Sequence, residues 1–323
     1  MFDYPLAFTL SSDQVDLAIK QVEDGTGYLT HSVRKRSGER RKVYEPKTSL
    51  RTILKITKMA MDESGIYSPP PGVFGYVRGR STLGNAQYHL GAEALLSVDL
   101  TAFFESISSD RLGLSLIDCG VSEQVAAKLV RLCCVNGALR AGFPTSPILS
   151  NVAFRATDLT LNEFARVRGL SYSRYADDIT LSGPHEDVGD DLLADLRSKL
   201  LAFDWKLNDK KSRFMRRGGP QYVTGLSVSD PTAVRAPARV KSLLRMHLYY
   251  IEKFGYAECR SRNPSTPSYW WFAGWVGYLR VIEPTLGAQL QAKLDTAFGK
   301  QGPKRDGLEW LDLLQALGAT DLT

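Results

Sequence analysis

Tyr175-Ala176-Asp177-Asp178 sets two adjacent carboxylates between two apolar stretches, residues 170–175 and 179–182. Read as strands, those stretches make a β-hairpin whose turn carries both acids. Packing gives no reason to place paired carboxylates at such a tip, whereas divalent cations do. Ser97-Val98-Asp99-Leu100 adds a third acid at the end of a short apolar run, residues 94–100, with the pattern of a buried strand. A carboxylate there is costly unless a cation or solvent receives it. Capping of a helix over residues 101–106 is the plainer use for Asp99, but beside the acidic hairpin the ligand reading is the stronger. Nucleotidyl transfer uses two divalent ions roughly 3.5–4 Å apart, clamped by carboxylates from different strands. Magnesium prefers a few carboxylates together with phosphate oxygens and water. Asp99, Asp177 and Asp178 are therefore the candidate ligands for two Mg2+ ions, with Mn2+ able to substitute.

The elements that must position these acids follow from periodicity and breakers. Helices are expected over residues 13–24, 50–61, 122–132, 150–166 (starting just after Pro147), 190–201, 240–254, 270–280 and 286–298. Strands are expected over 40–45, after a turn at Ser37-Gly38, and over 222–228. Ser68-Pro69-Pro70-Pro71-Gly72 breaks the chain, and residues 75–84 read as loop. The order is a mixed front, a β-α middle and a helical tail, so the fold class is α+β.

At 323 residues the chain has room for more than one subdomain. A hydrophobic fraction of 43% and a charged fraction of 24% are those of a globular protein. No segment has the uninterrupted apolar length of a membrane span, and Met1-Phe2-Asp3-Tyr4-Pro5 does not begin a secretory leader, so a cytoplasmic location and no membrane partner are expected. Cys119, Cys133, Cys134 and Cys259 match no zinc spacing and are expected as buried, reduced thiols. The net charge of +6 is concentrated in Arg34, Lys35, Arg36, Arg40, Arg41 and Lys42, and again in Lys210, Lys211, Arg213, Arg216 and Arg217. Two basic clusters flanking an acidic hairpin point to a polyanion as partner.

Taken together, Asp99 with Phe103-Phe104, Gly142-Phe143-Pro144-Thr145-Ser146-Pro147 with Leu149-Ser150-Asn151, and Tyr175-Ala176-Asp177-Asp178 resemble the ordered palm motifs of reverse transcriptases. The resemblance covers roughly residues 40 to 230. It implies a right-hand polymerase fold: fingers over 1–91, a palm over 92–232 with fingers-side helices near 111–145, and a helical, RNA-binding thumb over 233–323. It further implies that the Leu100 backbone carbonyl joins the metal ligands and that Phe104 is the steric gate favouring dNTPs. Arg41 and Arg51 are expected to neutralise the triphosphate, Gly142 and Pro144 to shape the nucleotide and template site, and Lys210 or Lys211 to approach the pyrophosphate. Which lysine does so the sequence leaves open. The chain departs from the family at Arg140-Ala141, where Pro-Gln is common, so the usual glutamine contact is missing.

Asn85-Ala86-Gln87-Tyr88-His89 and Val223-Thr224-Gly225 resemble signatures of bacterial retron reverse transcriptases. That resemblance implies RNA contact by Asn85, His89, Val223, Thr224 and Gly225, joined by Arg239, Lys241 and Arg245 of the thumb. It also implies a dedicated structured noncoding RNA, priming from a guanosine 2′-hydroxyl, a branched RNA–DNA product, and antiphage action with a separately encoded effector protein. The alternatives are a non-retron bacterial reverse transcriptase, intron-like or defence-associated, and a ribonucleoprotein scaffold or antitoxin for an effector.

Overall fold

The computed structural model describes residues 10–34, 38 and 40–299. Lys35, Arg36, Ser37 and the expected tail beyond residue 299 lie outside the described residues. Two compact units are present, one drawn from the residues up to Ser32 and Lys42–Thr224, the other from Val33–Arg41 and Gly225 onward.

The first unit holds helices α1 (Ser12–Glu23), α2 (Thr48–Ser64), α3 (Thr82–Gln87), α4 (Ser109–Asp118), α5 (Glu123–Cys133), α6 (Ser146–Val167) and α7 (Asp190–Leu201). A two-stranded ribbon, β1 (Tyr28–Arg34) with β2 (Arg40–Pro46), precedes α2, and two short strands, β4 (Cys134–Val135) and β5 (Ala138–Leu139), pair just before α6. Its central sheet has the order β6 (Ser171–Tyr175), β7 (Asp178–Gly183), β3 (Ala94–Asp99), β8 (Arg213–Arg216), and the pairs β6–β7, β7–β3 and β3–β8 are antiparallel. β3 and β7 are buried almost throughout, so alternation of exposed and buried residues is lost in both. α6 buries thirteen residues and packs against β6. It begins at Ser146, one residue before Pro147, rather than after it as expected, because a proline in the first turn has no N–H to lose there.

The proline-rich segment does more than break the chain. Val73 pairs in parallel with Arg174, the Phe74 N–H donates to the Arg174 carbonyl (2.8 Å), and the Arg174 N–H donates to the Gly72 carbonyl (2.9 Å). This segment therefore covers the outer edge of β6, an edge that would otherwise expose unpaired backbone. The approach is close: a Cβ on Gly75 would lie 2.2 Å from the Ala176 nitrogen, inside the acidic turn.

Residues 82–87, with 82–84 expected as loop, form α3, capped by the Ser81 hydroxyl, which accepts from the Gly84 N–H. This corrects the expected RNA contacts of Asn85, His89 and Val223, which are all buried. His89 is held between two hydroxyls, Nδ1 2.7 Å from Ser182 Oγ on β7 and Nε2 2.6 Å from Ser173 Oγ on β6. A neutral imidazole donates through one nitrogen and accepts through the other, and rotating hydroxyls satisfy both. The histidine of the Asn-Ala-x-x-His string is thus a clamp across the two strands of the acidic hairpin. The Thr224 hydroxyl donates to the Thr82 carbonyl (3.1 Å), which brings the second signature onto the same helix. The expected strand over 222–228 is instead two two-residue pieces, because Thr224 (φ 48°) and Gly225 (φ 79°) reverse the chain; Gly225 is exposed.

In the second unit, α8 (Ala238–Phe254), α10 (Tyr269–Ile282) and α11 (Pro284–Phe298) share a core of Leu244, Leu248, Phe272, Val276, Leu279, Leu290 and Leu294, with α9 (Tyr256–Arg262) between α8 and α10. Arg239 and Arg245 are exposed on α8. Lys241, also expected as an RNA contact, donates through its ammonium to Glu283 (3.0 Å), which accepts from the Ala236 N–H as well. Cys133 and Cys134 are buried, whereas Cys119 and Cys259 are only half-buried; all four are unbridged. Among the described residues no helix is long and apolar enough to cross a membrane.

Two substitutions separate close approach from helix propensity. Gly75→Ala is expected to cost about 1–3 kcal/mol by forcing the segment off the hairpin. Gly113→Ala, whose Cβ meets only Val130 at 3.8 Å within α4, is expected to gain about 0.5–1 kcal/mol; urea midpoints read both. His89 adds a pH dependence. Burial pushes its pKa from 6.5 down to about 3, so its support for folding is complete above pH 6.5 and is lost as pH falls below that. Between pH 7 and pH 5 the unfolding free energy should drop by roughly 2 kcal/mol more in the parent than in His89→Gln; equal slopes in the two proteins would refute the assignment.

Candidate active site

Antiparallel pairing builds the site. Asp99, the last residue of β3, stands opposite Asp178, the first residue of β7, and Asp178 is also opposite Tyr175 across the hairpin. The turn is closed by Ala176 in the left-handed region (φ 60°). It is tied to the next strand because the Leu100 N–H donates to the Asp177 carbonyl (3.0 Å). Asp99 does not cap a helix: residues 101–106 form hydrogen-bonded turns. Its backbone carbonyl accepts from the Asn208 N–H (2.8 Å), which brings the 3-10 turn Asp209–Lys211 alongside.

Within that turn the two candidate lysines differ in what they touch. Lys211 Nζ donates to both carboxylate oxygens of Asp99, each at 2.8 Å; Lys210 is exposed. Burial alone would lower the Lys211 pKa, but the hydrogen bond to Asp99 and the attraction of Asp99, Asp177 and Asp178 outweigh it and hold the ammonium above the usual lysine range. Asp178 moves the other way for a carboxylate. Burial, then repulsion by Asp177 and Asp99, push it up to about 7, with Lys211 opposing. Three carboxylates gathered in a half-dry place, one of them held back from ionising by the other two, call for cationic charge.

Among the described residues no three carboxylate, imidazole or thiol groups are drawn into a ready-made ligand set for an ion. Both oxygens of Asp99 accept from the Lys211 ammonium. The donor chemistry still fits a hard divalent cation, which takes carboxylate oxygens and leaves positions for phosphate and water.

The other expected site residues fall around this centre in different ways. Phe104 is buried, its ring 6.3 Å from Tyr76 and 5.6 Å from Phe103. Gly142 adopts φ 113°, and a Cβ there would lie 2.2 Å from the Tyr44 carbonyl, so only glycine fits against β2. Pro144 is half-buried in the following turn. Arg51, on α2, is engaged with the end of β2, Nε to the Pro46 carbonyl (3.1 Å) and Nη2 to Glu45 (2.6 Å). Arg41 lies half-buried on β2. Arg174 is the residue that motif reading misses: fully buried, it is the immediate neighbour of the Tyr-Ala-Asp-Asp string and bonds into its turn.

The family described as reverse transcriptase (RNA-dependent DNA polymerase) matches residues 33–244, more than half of the chain. The chain is 32% identical over 255 residues to Retron Mx65 reverse transcriptase of Myxococcus xanthus, covering 68% of this chain and 55% of that protein. To Retron Ec86 reverse transcriptase of Escherichia coli it is 30% identical over 210 residues, covering 63% of each. To Retron Ec83 reverse transcriptase of Escherichia coli it is 26% identical over 284 residues, covering 83% and 87%. The matches to the first two thus span only a little over half of those proteins' own length. Among solved structures, apo telomerase from Candida tropicalis aligns with a TM-score of 0.50 at 10% identity, covering 91% of this chain and 61% of that one. Telomerase from Candida albicans does so with the same score and identity, covering 89% and 57%. At that identity the likeness speaks to the fold alone, which is the right-hand polymerase fold. Acids on adjoining strands of such a palm sheet, with the family matched across them, lead to one conclusion: the chain belongs to the reverse transcriptase (RNA-dependent DNA polymerase) family.

Proposed function

We propose that this chain is an RNA-directed DNA polymerase of the retron type, which copies part of a dedicated structured noncoding RNA into short single-stranded DNA. The observation that carries the reading is the register that sets Asp99 against Asp178, with Asp177 beside them and the Lys211 ammonium on Asp99. Likeness to retron reverse transcriptases supports the retron type. Asp99, Asp177 and Asp178, with the Leu100 carbonyl, would hold Mg2+ or Mn2+. Such ions supply Lewis acidity for activating a primer hydroxyl and steadying the leaving pyrophosphate.

The chain's own residues then have distinct tasks. Phe104 is the gate against a ribose 2′-hydroxyl, and Gly142 and Pro144 shape the wall facing the nucleotide. Arg51, once released from Glu45, and Arg41 neutralise the triphosphate through charge-assisted hydrogen bonds. Lys211 holds a proton close to the acids and is the donor suited to a departing pyrophosphate. Arg239, Arg245, Tyr249, Tyr250 and Lys253 are exposed on α8 and offer charge and stacking surface to RNA. A 2′–5′ branched product, a cytoplasmic location and antiphage action with an effector protein complete the proposal.

Expression with native flanking DNA, followed by nuclease digestion, debranching and sequencing of the co-purified nucleic acid, tests it. A single defined RNA branched to short DNA, absent in Asp177→Asn, is the expected result. RNA without DNA would favour the scaffold reading, and untemplated DNA another reverse transcriptase lineage. The two lysines should also separate in primer extension. Lys211→Ala is expected to lower kcat on the order of 100-fold, with Lys210→Ala close to the parent; equal losses would remove the special role of Lys211.

A further inference from the structure

We infer that Arg174, oriented by Asp158 and Asn151, is a positioning residue for the acidic hairpin, acting through its hydrogen bond to the Ala176 carbonyl. The inference rests on the proposed polymerase reading of that hairpin. Arg174 and Asp158 have no exposed side-chain surface, and their guanidinium and carboxylate face each other in a forked pair, Nε to Oδ1 at 2.8 Å and Nη2 to Oδ2 at 2.6 Å. The Tyr172 hydroxyl donates to the same Asp158 Oδ1 (2.6 Å), and Nη2 of the arginine also donates to Asn151 Oδ1 (3.0 Å). Asn151 in turn donates through Nδ2 to the Gly75 carbonyl (3.0 Å). The Phe154 ring lies 4.6 Å from the guanidinium carbon. What remains is Nη1, which donates to the Ala176 carbonyl at 3.0 Å.

Stability does not ask for this arrangement, because a buried ion pair is often replaceable by apolar side chains of similar volume without loss. An apolar pair could not donate to Ala176. That residue holds a left-handed conformation without being glycine (φ 60°), a state that persists only where surrounding structure over-determines it. Ala176 is followed directly by both hairpin acids. The guanidinium therefore connects α6, the proline-rich segment and the turn at the one peptide whose orientation aims Asp177 and Asp178. Groups that orient ligands without touching the metal commonly change metal affinity or activity by about 10–100-fold when removed.

Arg174→Lys is the direct test, since it keeps a positive charge beside Asp158 but lacks the planar fork that reaches Asp158, Asn151 and Ala176 together. Full-length protein freed of nucleic acid would be titrated with Mn2+ by electron paramagnetic resonance, and its melting and dNTP kinetics measured in parallel. The expected result is cooperative melting, Mn2+ affinity weakened about tenfold, and kcat lowered by a similar factor with KM for dNTP little changed. Cooperative melting with parental Mn2+ affinity and kcat would overturn the inference. If Arg174→Lys does not fold, Asn151→Ala decides in the same two readouts: a smaller loss in both supports the role, and no change in either overturns it. Mn2+ binding needs neither RNA nor dNTP. A parent protein that binds Mn2+ but makes no DNA would therefore count against the polymerase reading and leave Arg174 to be judged on affinity.

Discussion

Gathering three carboxylates onto adjoining strand ends is the constraint on which the rest of the structure depends. Like charges at this separation resist ionising together, and burial of Asp178 adds to the cost. A fold left to relax would let the acids drift apart. Here the antiparallel register fixes Asp99 opposite Asp178, the Leu100 N–H to Asp177 carbonyl bond fixes the turn against β3, and Lys211 neutralises part of the charge. The surrounding elements can be read as supports for that unfavourable arrangement, which persists because backbone geometry leaves the acids nowhere else to go.

Those supports act on the acidic hairpin from several sides. At its base the neutral His89 imidazole joins β6 to β7 through Ser173 and Ser182. Along its outer edge the segment around Val73 takes up the backbone groups of Arg174. At its tip the Arg174 side chain reaches the Ala176 carbonyl. Each support uses a polar group that finds a hydrogen-bond partner inside the protein. Half-satisfied groups at these depths would destabilise the fold instead of ordering it.

The acids and the hairpin were legible in the sequence because their signal is local: adjacent carboxylates between apolar runs, and an acid ending a third run. The long helices were legible through periodicity, with Pro147 setting one start late, at residue 150 where the helix begins at Ser146. Partners distant along the chain were not legible. Nothing near His89 announces that Ser173 and Ser182 will enclose it, so a polar motif was read as a surface motif. Likewise Lys210 and Lys211 are indistinguishable until the 3-10 turn after Asn208 points one at Asp99. Arg174 carries no local signal at all. An arginine in a strand of polar and aromatic residues reads as a solvent-facing side chain, and only the acid at position 158 of α6 explains its burial. The second basic cluster was visible as charge but not as structure, since β8 makes an edge strand of Arg213–Arg216.

The departure at Arg140-Ala141 has a physical consequence of its own. Ala141 is buried, and its carbonyl accepts from the Tyr44 N–H (2.8 Å), while Gly142 packs directly against the Tyr44 carbonyl. Arg140 folds back, donating to the Val135 (2.9 Å) and Asn136 (3.2 Å) carbonyls, with its guanidinium 5.7 Å from the Tyr44 ring. The segment is therefore committed to β2 by main-chain contact and by an arginine already occupied. Backbone docking thus holds Ala141 and Gly142 against β2, whose Glu45 pairs with Arg51 on α2. Under the proposed function, contacts to the base pair would rest on shape, set by Gly142 and Pro144, more than on a directed hydrogen bond from this position. Shape reads the width of a pair but not its donor and acceptor pattern.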